Sequence, residues 1–170
     1  MNLNLLREKC QILEKVIIEL SGVYADKDCS TQQKALLETM IGAAIWYLPT
    51  GNELYSGFIS EAALKEIKNG AQISKLTKEH RFPRKQAGRI LLTEKYKLFI
   101  DKKESLYDLY LNEFGKYNLV VKEENRSLVE FQKENVFEND ITAYKKANIE
   151  LIKATIEEIN NSKPSKSKNK

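Results

Sequence analysis

A single histidine, His80, occurs in this chain of 170 residues. That scarcity excludes any zinc site built on a His-Glu-x-x-His pair. Only two cysteines occur, Cys10 and Cys29. They are too few for a cysteine-held structural zinc and too far apart to read as a metal-binding pair, so reduced thiols and a cytoplasmic setting are expected. The seven glycines are scattered, which leaves no glycine-rich loop to cradle phosphates. No apolar run approaches the roughly 18 residues of a membrane span. No short cationic region followed by an apolar one opens the chain, so no secretory signal is expected. The charge is not extreme either: the net value is +4 and the pI about 8.9. A balance of this kind is compatible with nucleic acid without requiring it.

What is present fits one ordinary domain, with 42% hydrophobic and 31% charged residues. Leu6, Cys10, Leu13, Ile17 and Leu20 recur at helical spacing and predict a first helix over residues 3–22. A turn and an N-cap at Ser30 or Thr31 lead into a second helix carrying Leu37, Met40, Ile41, Ala44 and Leu48, which stops before Pro49. The two are expected to form an antiparallel hairpin over 3–48, with Trp46 and Tyr47 as packing residues. Ser60 predicts a cap for a short helix from Glu61 to Lys68, closed by Asn69 and Gly70. Residues 71–76 read as a short strand entering Glu79 and His80. Helical pattern resumes from Arg84, and Ser105 opens another helix that Gly115 ends. Residues 118–121 are the best strand candidate, and Lys122 begins a helix. The last helix is expected over about 140–160, capped by Asp140. The fold class is therefore mainly α (α+β), a helical scaffold with two or three short strands. A single domain over 1–161 is expected, followed by a polar basic tail at 162–170 that is too polar to order itself.

Chemistry concentrates on Glu79-His80-Arg81-Phe82-Pro83-Arg84, and then on Asn118-Leu119-Val120-Val121 and Asn125. A neutral imidazole can take a proton from water near neutral pH. A divalent cation that neutralises a scissile phosphate takes oxygen ligands, such as one carboxylate and one amide. Adjacent strand residues point to opposite faces, so Glu79 and His80 would serve the metal and the attacking water separately. Arg81, Arg84, Lys85 and Arg89, at near-helical spacing, read as a solvated cationic face, and as a phosphate-contacting stripe if the chain is a nuclease.

The first block resembles the Asp-His-x-x-Pro-Lys/Arg opening of the HNH endonucleases, the ββα-metal nucleases. The second, Asn118-Leu119-Val120-Val121 with Glu124, Asn125 and Leu128, resembles the later half of that motif. The resemblance covers about 15 residues, within a segment at about 71–134. It implies His80 as general base, Glu79 as a metal ligand, Asn118 as the brace of the loop and Asn125 as the second ligand, in an HNN variant. Glu124 is an alternative ligand to Asn125. In this chain the first ligand is Glu where Asp is usual and the last is Asn rather than His. A helical insertion over about 84–115 also separates the halves. The implied cofactor is Mg²⁺ or Mn²⁺, and the implied partner is DNA. A restriction, phage or mobile-element setting follows from the same resemblance. The long amphipathic first helix would suit a homodimer, and no membrane partner is expected. The rival expectation is a non-enzymatic α-helical adaptor, regulatory or nucleic-acid-binding protein in which His80 only packs.

Overall fold

A computed structural model describes residues 1–133 and 137–163. They pack as two compact units, each assembled from two stretches of chain: Met1–Leu54 with His80–Lys116, and Tyr55–Glu79 with the described part of Tyr117–Lys170. The fold is mainly helical with a small mixed sheet, the expected α+β class. Among the described residues the sheet has four strands rather than two or three. No described helix is long and apolar enough to cross a membrane.

The first unit is helical. Helix α1 (Leu3–Ala25) starts where the Asn2 side chain accepts from Leu5 N–H, and it buries Leu6, Cys10 and Ile17. Helix α2 (Thr31–Trp46) is opened by a reciprocal cap: the Ser30 hydroxyl accepts from Gln33 N–H while the Gln33 side chain accepts from Ser30 N–H. Such a cap satisfies two of the amides that a helix start leaves open. Of the expected apolar positions on α2, Ile41 and Leu48 are buried, but Met40 is exposed. Tyr47, expected to pack, is 82% exposed. It caps the end of α2, where the chain leaves the helix before Pro49.

The main partner of α2 is not α1 but α4 (Arg84–Ile90). Two glycines make this crossing possible. A Cβ on Gly42 would lie 2.0 Å from the Arg84 carbonyl oxygen, and one on Gly88 would lie 2.1 Å from the Glu38 carbonyl oxygen. The helices therefore touch backbone to backbone, each glycine facing the other helix four residues before its partner glycine. A π-helical turn at Leu91–Lys95, α5 (Tyr96–Ile100), α6 (Leu106–Leu109) and a second π-helical turn at Tyr110–Phe114 complete the unit. Tyr110, fully buried, donates its hydroxyl to the Pro49 carbonyl at 3.2 Å.

The second unit is built on the sheet, in the order β2-β3-β1-β4. Strand β1 (Tyr55–Ser60) runs parallel to β3 (Tyr117–Val120) and antiparallel to β4 (Leu151–Lys153). Its register with β3 shifts between Tyr55 and Ile59. Gly57 sits in that bulge at φ +89°, a left-handed conformation that glycine adopts without strain. Strand β3 lies between β2 (Thr77–His80) and β1, and all four of its residues are buried. Residues 71–76, expected to be a strand, instead include a 3₁₀ turn at Ile73–Lys75 before β2 begins. Helices α3 (Glu61–Lys68) and α7 (Lys122–Leu128) begin where expected.

The C-terminal helix expected over 140–160 is two helices separated by a strand. Helix α8 (Asp140–Lys146) is capped by Asn139 rather than Asp140, its side chain accepting from Thr142 N–H at 2.9 Å. Asn148 then takes a left-handed φ of +56° and ends the helical course. Leu151 to Lys153 add to the sheet edge as β4, and Thr155 with Glu158 forms a capping box that opens α9 (Ile156–Asn161). Leu128, Ala143, Tyr144 and Ile149 close over Val120 of β3 with Phe131 and Phe137 beside them. The expected tail lies outside the described residues apart from residues 162 and 163, as does part of the expected break at 136–140.

Candidate functional site

The division into units falls between Glu79 and His80. Glu79, Asn118 and Asn125 belong to the sheet unit. His80, Arg81, Arg84, Lys85 and Arg89 belong to the helical unit.

In the sheet unit the expected residues lie on β2, β3 and α7. Glu79 is 5% exposed, and one of its carboxylate oxygens accepts from Gln132 Nε2 at 2.6 Å. Burial pushes its pKa up to about 7, because a carboxylate charge is costly away from water, and the Gln132 hydrogen bond only partly opposes this. Asn118, 1% exposed, accepts at Oδ1 from the Ser56 hydroxyl at 2.5 Å. The Ser56 hydroxyl in turn accepts from Phe58 N–H, tying the bulge of β1 to the middle of β3. The Tyr144 hydroxyl is buried without a hydrogen bond of good geometry among the described residues. Burial pushes its pKa up, and it lies within electrostatic reach of Asn118, Glu79, Asp140 and Glu124.

Asn125 stands in the first turn of α7, its N–H donating to the Val121 carbonyl. Its Oδ1 is buried and has no hydrogen-bond partner among the described residues. Glu124, the alternative ligand, is already committed. Its Oε2 accepts from Val121 N–H at 3.1 Å and from the Ser60 hydroxyl. That hydroxyl also accepts from Ala63 N–H, so one serine caps α3 and anchors the carboxylate that opens α7. Glu124 therefore has a structural occupation that Asn125 lacks.

In the helical unit, His80 is 8% exposed, with both ring nitrogens shielded from solvent. Its ring stacks on Trp46, centroids 4.5 Å apart and planes inclined by 26°. The Arg84 guanidinium lies 4.2 Å from the centre of the same indole, a cation–π contact. Arg81 joins the end of β2 to the chain before β3, its N–H donating to the Lys116 carbonyl. Lys85 pairs with the buried Glu38 at 3.5 Å, and Tyr24 donates its hydroxyl to the other oxygen of that carboxylate. Arg89 donates to Gln86 Oε1 at 2.5 Å. Of the four cations expected to face DNA, Arg84 is exposed and the other three are partly buried. Lys85 is partly spent on Glu38, because a buried carboxylate requires a counter-charge.

Ser56, Ser60, Gln132 and Tyr144 were not legible as site residues. Each is an ordinary residue type whose importance comes from a partner more than ten residues away. The one local signal was Ser60, readable as a helix cap but not as the anchor of Glu124.

Among the described residues no three His, Cys, Asp or Glu side chains gather into a group that could hold a metal ion. The expected ligand set, one carboxylate and one amide, is smaller than such a group and leaves the remaining positions to water and phosphate oxygens. The orphaned Asn125 Oδ1 is the observation that fits a cation of this kind, since a hard divalent ion takes amide oxygens. No family model, no curated protein and no solved structure matches the chain.

Proposed function

We propose that the protein is a metal-dependent DNA endonuclease of HNH-like type. The reading is supported by the succession β2, β3, α7: neighbouring strands followed directly by a helix, with Glu79 and His80 closing the first strand, Asn118 in the second and Asn125 in the first helical turn. His80 takes a proton from the attacking water as the new phosphorus–oxygen bond forms and the ester bond breaks. Asn118, locked by Ser56, braces the strand that carries it. Glu79 and Asn125 hold Mg²⁺ or Mn²⁺, which when bound neutralises charge on the phosphate and on the leaving oxygen. Arg84 contacts the phosphate backbone. A cytoplasmic restriction, phage or mobile-element role is the natural setting, and a homodimer would cut both strands. The covering of His80 by Trp46 sets a requirement on this mechanism: the imidazole must gain access to water when substrate binds.

The test is plasmid nicking with Mg²⁺ or Mn²⁺. Wild type nicks, and His80→Ala loses at least about 100-fold, the usual contribution of a general base. Equal cleavage by both proteins removes the proposal.

A second reading rests on the burial of His80 against Trp46. There the imidazole is a packing group, and the protein is a non-catalytic α-helical adaptor, regulatory or nucleic-acid-binding module. Under that reading His80→Phe, which keeps a stacked ring, retains DNA binding and stability while neither protein nicks DNA.

A further inference from the structure

Helix α1 has two apolar lines, and the first unit uses only one. Leu6, Cys10 and Ile17 are buried. Leu5, Ile12, Val16 and Val23 are all exposed, Ile12 by 67%. At 3.6 residues per turn these four fall within roughly 20° of a single line down the helix. Their spacing repeats after eleven residues, Leu5 to Val16 and Ile12 to Val23. An eleven-residue period lies close to that of a straight helix, so the line stays on one side for about 27 Å. Helix α2 carries a similar line, Leu36 and Met40, which Tyr47 continues at its C-terminal cap, all exposed. The two lines approach at the hairpin turn, where Val23 and Leu36 line the same open recess of about 380 Å³. Together these side chains present several hundred Å² of apolar surface, on the order of the ~800 Å² that one partner contributes to a stable interface.

We propose that this face pairs with the same face of a second copy, the two α1 helices lying antiparallel about a two-fold axis level with Glu14. The stripe is self-complementary in that arrangement, as a two-fold interface requires. Leu5 meets Val23 of the other copy at each end, and Ile12 meets Val16 near the centre. Lys9 meets Glu19 and, by symmetry, Glu19 meets Lys9; both side chains are exposed in the single chain. A parallel pairing would set Lys9 against Lys9 and Glu19 against Glu19. The flanks Glu8, Lys9, Lys15 and Glu19 carry both signs in equal number, unlike the basic flanks of a helix that lies on an anionic membrane. The pairing does not depend on the nuclease reading.

Sedimentation equilibrium on the full chain tests it. Wild type is a reversible dimer. Lys9→Glu and Glu19→Lys each weaken it by about tenfold, and the double exchange returns the dissociation constant to within about threefold of wild type. Circular dichroism and thermal unfolding of each variant establish that it remains folded. In a Cys29→Ser background, Leu5→Cys mixed with Val23→Cys gives a disulfide between copies under mild oxidation, and Leu5→Cys alone does not. The proposal is overturned by a wild type that stays monomeric at the highest attainable concentration. It is also overturned by a dimer indifferent to both single charge changes, by Leu5→Cys cross-linking to itself, or by a monomer that floats with anionic phosphatidylserine vesicles.

Discussion

Glu79 holds its proton more tightly than an exposed carboxylate because it is buried with a single amide donor. Its pKa is raised from 4.5 to about 7, so the native state binds a proton that the unfolded chain has already lost. Its contribution to stability is therefore complete below about pH 4.5 and declines as pH rises to about 7, by about 3 kcal/mol in total. Glu79→Gln should flatten that part of the stability profile, measured by urea unfolding between pH 4 and 8. His80 has its own readout, because Trp46 is the only tryptophan of the chain and lies stacked on it. His80→Ala should shift the indole emission to the red as water reaches the uncovered face. An unchanged spectrum would mean that Trp46 does not rest on the imidazole in solution.

At the scale of elements, the contact of α2 with α4 depends on the absence of two side chains. Gly42→Ala or Gly88→Ala would place a methyl group on a backbone carbonyl of the facing helix, which cannot rotate away. Each should cost about 3 kcal/mol or more, as strong overpacking does, visible in thermal or urea unfolding. Gly22→Ala is the matched control, since a Cβ there meets nothing within 4 Å. Local chemistry made many elements legible. The Ser30 and Ser60 caps, the Gly115 stop and the helix beginning at Lys122 stand where the residues indicate. The C-terminal region is ambiguous in sequence because Ile149, Leu151 and Ile152 suit a helix stripe or a strand equally. Pairing with β1 and the left-handed Asn148 decide for the strand.

For the whole molecule, ligand linkage offers a test of the metal reading that needs no cleavage. If Glu79 and Asn125 hold a cation, Mn²⁺ at about 100 times its dissociation constant should add about 2.7 kcal/mol to stability. The gain should disappear in Glu79→Gln and Asn125→Leu, followed by thermal unfolding with and without Mn²⁺. A gain that survives both substitutions would place the ion elsewhere. The candidate residues themselves were legible, since residue type and spacing carry chemistry. Their surroundings were not. The partnership of Ser56 with Asn118 spans 62 residues and that of Gln132 with Glu79 spans 53, and no local pattern encodes either.

The sequence by itself determined the mainly helical class and helix starts such as those after Ser30 and Ser60. Capping, periodicity and titratable groups act over a few residues, so they can be read without coordinates. Only the tertiary structure decided which apolar line of α1 is core and which stays exposed. It alone put a tryptophan against the one histidine, occupied Glu124 with a serine, and left the Asn125 oxygen without a donor among the described residues. Burial and pairing are properties of residues distant in the chain, and they exist only once the chain has closed on itself.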